Sequence, residues 1–131
     1  MRYLFISVLI FQNFFFGMNK SDKTSSPAYF DVTNVVNPIT PYEEATFSGT
    51  IYITNTGDNL ATKNVQVVWR KGSTIMRDTI YKRSLAGSNS VNFTDSYTFE
   101  IGDAGINWTI SATTPDDSYL STAFEVYDTP P

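Results

Sequence analysis

Three aspartates, Asp58, Asp116 and Asp117, are the residues of this sequence best suited to bind a metal ion. Each lies among turn-forming residues, and in a β-sandwich of the expected topology the two loops that carry them emerge at the same end. Calcium prefers carboxylate and carbonyl oxygens and takes about six to eight of them. The three residues therefore form a calcium hypothesis, beside the simpler alternative that aspartate is a favourable turn residue. We predict no other metal or cofactor.

Catalytic chemistry is strongly limited by two missing residue types, because the chain contains neither histidine nor cysteine. The usual general base is therefore absent, and disulfides, thiol catalysis and thiolate metal sites are excluded. A pair of carboxylates would have to carry any hydrolytic reaction, but Glu43 and Glu44 are adjacent at the start of a strand and point to opposite faces. We predict no catalytic residues and no enzymatic activity.

Tyrosines and overall charge indicate what kind of partner to expect. Exposed tyrosines are typical of binding surfaces, and the candidates are Tyr29, Tyr52, Tyr81 and Tyr119. The alternative is that most of them are half-buried structural residues. The formal net charge is −4, which gives no reason to expect a nucleic-acid partner or attraction to an anionic membrane surface.

Residues 1–18 differ from the rest of the chain. Arg2 precedes an apolar run over residues 4–11, and a polar stretch, residues 19–28, follows the whole segment. A basic start, a short apolar region and a polar sequel are typical of a secretory signal peptide. We therefore expect an exported protein, secreted or at the cell surface, with residues 19–28 as a polar linker.

Two alternatives to a cleaved signal stay open. Phe15 stands where a small residue is wanted before cleavage after Gly17, so the segment could instead be retained as a short membrane anchor. Translation could also start at Met18. The membrane is expected as a partner only if the apolar segment is retained.

The elements that would position these residues are β-strands. From Tyr29 onward the apolar residues alternate with period two, as in strands with one buried face. The predicted fold is all-β, a seven-stranded antiparallel immunoglobulin-like sandwich over residues 29–128 with a tail at 129–131. The strands are predicted near residues 29–36, 44–54, 64–70, 74–82, 91–99, 106–112 and 121–127.

Particular side chains of these strands have expected orientations. Trp69 should lie in the core of the third strand, with Ile106 and Trp108 pointing inward from the sixth. Asp95 interrupts the apolar positions of the fifth strand, which predicts a bulge or bend there.

Several turn and core sequences resemble one family, the CARDB-like domains, which are small immunoglobulin-type modules of bacterial and archaeal surface proteins. The matching pieces are Val35-Val36-Asn37-Pro38, Tyr42-Glu43-Glu44, Ile51 to Asp58, the strand ending in Trp69, Ser84 to Ser88, and Gly105 to Thr109. The most telling are the Asn-x-Gly-Asp and Leu-Ala-Gly-Ser pieces. The resemblance implies the sandwich fold and a cell-adhesion-related setting, with no catalytic signature.

These observations favour a non-catalytic, exported binding or adhesion module of the cell surface that recognises a protein or a glycan. The alternative is a membrane-tethered structural subunit of a surface filament or envelope assembly. A third hypothesis, a small hydrolase or the accessory module of an enzyme, also stays open.

Overall fold

The computed structural model describes residues 25–131, so the predicted signal segment lies outside the described residues. The described part of the chain forms eight β-strands. They are β1 (Phe30–Val36), β2 (Ala45–Asn55), β3 (Ala61–Lys71), β4 (Thr74–Leu85), β5 (Ser90–Phe99), β6 (Gly105–Thr113), β7 (Ser118–Leu120) and β8 (Phe124–Val126). Within residues 25–131, no helix has the length and apolar character needed to cross a membrane.

The strands form two sheets that pack face to face. One sheet has the order β1-β2-β5, and the other has the order β4-β3-β6, with both β7 and β8 paired to β6. All of these strand pairs are antiparallel. The predicted all-β, antiparallel, immunoglobulin-like sandwich is therefore confirmed.

The number of strands differs from the prediction of seven. Leu120 of β7 pairs with Ser111, and Phe124 of β8 pairs with Trp108, so the returning chain follows β6 in two short pieces. Between them the buried Ser121 donates its backbone N–H to the carbonyl of Ile110, and its hydroxyl accepts the N–H of Ile110. β8 therefore corresponds to the last predicted strand, near residues 121–127, and β7 is an additional short strand before it that was not predicted.

The core lies between the sheets, at the positions that the alternation predicted. Ile51 and Ile53 of β2 and Val67 and Trp69 of β3 are fully buried. Trp69 contacts the ring of Phe99 at a centroid distance of 6.0 Å, which joins the two sheets through their largest side chains. Full burial of such rings is the main favourable contribution to folding.

The predicted bulge at Asp95 is wrong. Pairing between β2 and β5 continues without a register shift from Ala45↔Phe99 to Thr54↔Ser90, and Asp95 lies opposite Gly49 within it. The strand stays regular because the Asp95 carboxylate accepts hydrogen bonds from side chains inside the sandwich. The carboxylate therefore does not have to reach solvent to be satisfied.

The inward orientation predicted for Ile106 is also wrong, since 64% of this residue is exposed. The pairing of β6 with β8 shifts register between Gly105 and Trp108. In this bulge Asn107 has a φ of 69°, a left-handed conformation. An extra residue in a bulge reverses the side-chain alternation, so Ile106 faces solvent while Trp108 is buried.

Asn55 explains why the Asn-x-Gly-Asp and Leu-Ala-Gly-Ser sequences matter to the fold, because it connects the segments that carry them. Its Oδ1 accepts the N–H groups of Tyr29 and Gly57, at 3.1 and 3.0 Å. Its Nδ2 donates to the carbonyls of Asn59 and Leu85, at 2.8 and 3.1 Å. A fully buried amide with all of these bonds satisfied holds three loops in one arrangement.

Candidate functional site

The three aspartates of the calcium hypothesis all contact the segment that leads into and forms β1. Asp58 accepts the N–H of Ser26 at 3.1 Å through Oδ2. Asp116 and Asp117 each use Oδ2 to accept a backbone N–H of β1, from Phe30 at 2.8 Å and from Val32 at 2.9 Å. The two loop carboxylates thus occupy the place that a neighbouring strand would take along the edge of β1.

Lys63 was not singled out by the sequence, yet its ammonium group contacts one of these aspartates. Its Nζ lies 2.7 Å from Oδ2 of Asp116 and 2.8 Å from the carbonyl of Ala28. Partial burial raises the pKa of Asp116, but the Lys63 ammonium and the N–H of Phe30 outweigh it, and the pKa is lowered. Asp116 is therefore held as a carboxylate that already has a positive partner.

Asp117 has a second acid beside it. A side-chain hydrogen bond joins Asp31 and Asp117, which raises the pKa of Asp31 and lowers the pKa of Asp117. Within residues 25–131, no three histidine, cysteine, aspartate or glutamate side chains are grouped so that they could hold a metal ion. Calcium binding by Asp58, Asp116 and Asp117 stays a prediction.

The most buried acid lies elsewhere, in a group that we call the Asp95 cluster: Asp95, Trp69, Arg77 and Tyr81. Oδ2 of Asp95 accepts Nε1–H of Trp69 at 2.7 Å and Nε–H of Arg77 at 3.2 Å. Oδ1 accepts the hydroxyl of Tyr81 and a second guanidinium nitrogen of Arg77, the latter at 3.0 Å. Because β5 and the β3–β4 pair belong to different sheets, this cluster fastens one sheet to the other.

Electrostatics favours the ionised form of Asp95. Burial alone raises the pKa of this carboxyl, but hydrogen bonds from Arg77, Tyr81 and Trp69 lower it below its ordinary value of 3.8. Burial and the contact with Asp95 raise the pKa of the Tyr81 hydroxyl, which therefore stays a proton donor. The cluster is satisfied internally, which suits a structural role more than a reactive one.

An open groove of about 170 Å³ lies on the outer face of the β1-β2-β5 sheet. Tyr52, of which 38% is exposed, forms part of it, with Asn92 directly across the strand pair. The remaining lining comes from Thr33, Ile53, Thr54, Ser90 and Val91. An aromatic ring beside an amide and several hydroxyls presents an apolar surface edged by hydrogen-bonding groups.

This groove continues into a wider surface that we call the hydroxyl face: the ten outward residues of β2 and β5. They are Thr46, Ser48, Thr50, Tyr52 and Thr54 of β2, and Ser90, Asn92, Thr94, Ser96 and Thr98 of β5. Three of its cross-strand pairs, Thr46–Thr98, Ser48–Ser96 and Thr54–Ser90, are joined by hydroxyl hydrogen bonds of 2.7 Å. Of these ten residues, the sequence singled out Tyr52 as a candidate for a binding surface, and the other nine were not predicted to form one with it.

The outer face of the opposite sheet has a different character. Ile75, Ile80 and Leu120 are 54%, 61% and 62% exposed on it. A groove of about 240 Å³ runs there between Ile80 and Pro115. The protein thus presents one hydroxyl-rich face and one partly apolar face, on opposite sides of the sandwich.

Of the other tyrosines expected to be exposed, Tyr29 is 45% exposed, whereas Tyr81 and Tyr119 are half-buried and pack against the core. Tyr81 also belongs to the Asp95 cluster, so its hydroxyl is engaged internally. Tyr52 is therefore the predicted tyrosine that both reaches solvent and lines a groove.

No family model matches the sequence, and no curated protein matches it either. Solved structures do resemble the fold. A cycloisomaltooligosaccharide glucanotransferase of Paenibacillus sp. in complex with cycloisomaltoheptaose aligns with a TM-score of 0.68 and 17% identity. A β-glucosidase from Listeria innocua in complex with glucose aligns with a TM-score of 0.58 and 14% identity, and the β-glucosidase EmGH1 from Erythrobacter marinus with 0.56 and 17%.

These alignments cover 79%, 78% and 76% of this chain, but 15%, 17% and 15% of the respective enzyme chains. Each enzyme is therefore several times longer than the part that it shares with this protein. At such low identity the likeness shows the fold alone. The CARDB-like resemblance stays a prediction, and what the chain is similar to is a β-sandwich found inside larger carbohydrate-active proteins.

Proposed function

We propose that this chain is an exported, non-catalytic module that binds a glycan on the hydroxyl face. The observation that carries the proposal is the groove around Tyr52. A sugar ring has an apolar face of C–H groups and a rim of hydroxyls, so it is complementary to an exposed aromatic ring flanked by amide and hydroxyl groups. Tyr52 would stack on the sugar ring, while Asn92, Thr54 and Ser90 would exchange hydrogen bonds with its hydroxyls.

Two further observations support this choice between the protein and glycan partners that the sequence left open. The groove has no aspartate, glutamate, lysine or arginine among its lining residues, which suits an uncharged ligand and provides no acid–base pair for hydrolysis. The solved structures of similar fold include proteins in complex with a cyclic oligosaccharide and with glucose. Export is proposed from the sequence of residues 1–18 and from the resemblance to surface modules.

Affinity gel electrophoresis tests the proposal with a panel of soluble polysaccharides: a β-glucan, an α-glucan, a xylan, a mannan and a polyuronate. At least one gel should retard the parent protein, and Tyr52→Ala should remove the retardation. Tyr127→Ala is the matched control, because Tyr127 is 39% exposed, about as much as Tyr52, but does not line the groove. It forms a bridge with Tyr42 instead. The proposal would be overturned if no polysaccharide retarded the parent protein, or if Tyr52→Ala and Tyr127→Ala changed the retardation equally.

The partly apolar face supports a second candidate, the structural subunit. Exposed isoleucine and leucine side chains on one sheet face are typical of protein contacts, and Ile75, Ile80 and Leu120 share such a face. Light scattering coupled to gel filtration distinguishes this candidate. Ordered oligomers that Ile80→Lys converts to monomers would support it, whereas a monomer at all concentrations would remove its basis.

Cell fractionation with intact-mass analysis addresses export. A soluble extracellular species that lacks the apolar segment is the expected result. Full-length protein in the membrane fraction would instead mean a retained anchor and would favour the structural subunit.

A further inference from the structure

The hydroxyl face is uncharged over its whole length. The chain contains 9 basic and 13 acidic residues, yet all ten outward positions of β2 and β5 are threonine, serine, asparagine or tyrosine. Asp95 of β5 lies on the opposite, buried side of the sheet, and Asp31 of β1 pairs with Thr54 at the margin of the face. A sulfate, phosphate or carboxylate on a ligand would find no cation here, so the face is complementary to a neutral molecule.

The paired hydroxyls are suited to bind other hydroxyls. When one hydroxyl of a pair donates to the other, the pair keeps one O–H donor and several lone pairs for a ligand. Sugar hydroxyls also donate and accept, so each pair can exchange bonds with them in either direction. Because the pairs at Thr46–Thr98 and Ser48–Ser96 already hold their rotamers through bonds of 2.7 Å, less side-chain freedom is lost when a ligand binds.

The extent of the face exceeds the size of one sugar. The pairs run without interruption from Thr46–Thr98 to Thr54–Ser90, and eight residue steps of an antiparallel strand span about 27 Å. Tyr52 lies near one end of this row. A monosaccharide or disaccharide on Tyr52 would leave the far part of the row, around Ser48–Ser96, without a contact.

We infer that the ligand is a neutral, linear polysaccharide whose extended chain lies along β2 and β5. One sugar stacks on Tyr52, and successive units cross Thr50–Thr94 and Ser48–Ser96. This inference rests on the proposed glycan-binding function and adds the charge, the shape and the minimum length of the ligand.

Calorimetry with matched short and long oligosaccharides tests it. The probes are the disaccharide and hexasaccharide of the cellulose, amylose, xylan and mannan series, with hexagalacturonate as the charged comparison. For the series that binds, the hexasaccharide should bind at least about tenfold more tightly than the disaccharide, a difference of about 1.4 kcal/mol. Hexagalacturonate should not bind.

Ser48→Glu places a charge on the far part of the row, about 14 Å along the strand from Tyr52. This variant should bind the hexasaccharide only as tightly as the disaccharide, and its affinity for the disaccharide should equal that of the parent protein. Thr113→Glu is the control, because it adds the same charge at an exposed strand position of the opposite sheet. It should alter neither affinity, and thermal melting confirms that both variants are folded.

The outcomes separate the inference from the function on which it rests. If the parent binds none of the oligosaccharides, the glycan-binding function fails. If it binds the disaccharide and hexasaccharide equally, or if Ser48→Glu leaves the hexasaccharide affinity unchanged, glycan binding stands and the extended-chain inference is overturned. Preferred binding of hexagalacturonate would overturn the neutral-ligand part.

Discussion

Replacement of Asp95 should destabilise this protein more than replacement of any exposed acid. Asp95→Ala removes the acceptor for three side chains of the opposite sheet, Trp69, Arg77 and Tyr81. The indole N–H of Trp69 is fully buried and cannot turn to water. The variant therefore measures how much the Asp95 cluster contributes to holding the sheets together.

The magnitude follows from the burial of each partner. A buried donor left without an acceptor costs about 1–3 kcal/mol, which applies fully to Trp69. Removal of one member of a buried ion pair costs about 3–5 kcal/mol. However, the Arg77 side chain is 36% exposed, so water can solvate the guanidinium and its share is much smaller. We expect Asp95→Ala to lower the free energy of unfolding by about 3 kcal/mol.

Urea denaturation followed by tryptophan fluorescence and circular dichroism is the assay. Asp78→Ala is the matched control, because Asp78 is an exposed acid of β4 with a single hydrogen bond, to Gln66, and should cost no more than about 0.5 kcal/mol. Asp95→Asn keeps the volume and one acceptor oxygen and should fall between the two. A double-mutant cycle with Arg77→Met isolates the contribution of the ion pair.

One result would refute the reasoning. If Asp95→Ala and Asp78→Ala have the same unfolding free energy, the Asp95 cluster does not hold the sheets together, and the buried carboxylate is energetically neutral.

Three further predictions concern pH, the edge of β1 and calcium. Because the pKa of Asp95 is lowered in the folded protein, its contribution to stability is complete above its ordinary pKa of 3.8 and is lost as the pH falls towards the folded value. The free energy of unfolding, measured over a series of acid pH values, should therefore fall less steeply for Asp95→Asn than for the parent protein. Parallel curves for the two proteins would contradict this. Asp117→Ala leaves the N–H of Val32 without its acceptor and should cost about 1–2 kcal/mol in urea denaturation, whereas Asp117→Asn, which keeps an oxygen there, should cost less. If the calcium hypothesis is right, titration of the parent protein with calcium in a calorimeter should give a heat of binding, and the Asp116→Ala variant should give none. The absence of a heat of binding with the parent protein would refute the hypothesis.

The sequence predicts part of the hydroxyl face. Serine, threonine or asparagine occupies every second position of β2 and β5 except that of Tyr52, and this period-two pattern already indicated strands with one solvent-exposed face. What the sequence lacks is the pairing of the two strands. Thr46 and Thr98 are far apart along the chain, so nothing in the local sequence indicates that they lie side by side. Only that pairing turns two polar rows into one continuous surface.

The Asp95 cluster could not have been predicted for a similar reason. An acid among apolar positions suggests a disturbed strand, because burial of an unpaired carboxylate is costly. Its three donors come from β3 and β4, and their distance from β5 depends on how the sheets pack. Likewise, two of the three aspartates expected to bind calcium, Asp116 and Asp117, use their Oδ2 atoms to accept N–H groups of β1, and this contact depends on where the β6–β7 loop lies.

The sequence by itself determined the fold class, the position of most strands and the core residues on them, because burial of alternate side chains depends on a local period of two. It also determined the absence of histidine and cysteine chemistry. The tertiary structure decided which polar residues meet: the hydroxyl pairs, the partners of Asp95 and the acceptors along β1. Hydrogen bonds between side chains require distances near 3 Å between residues remote in sequence, and only the packing of the two sheets sets those distances.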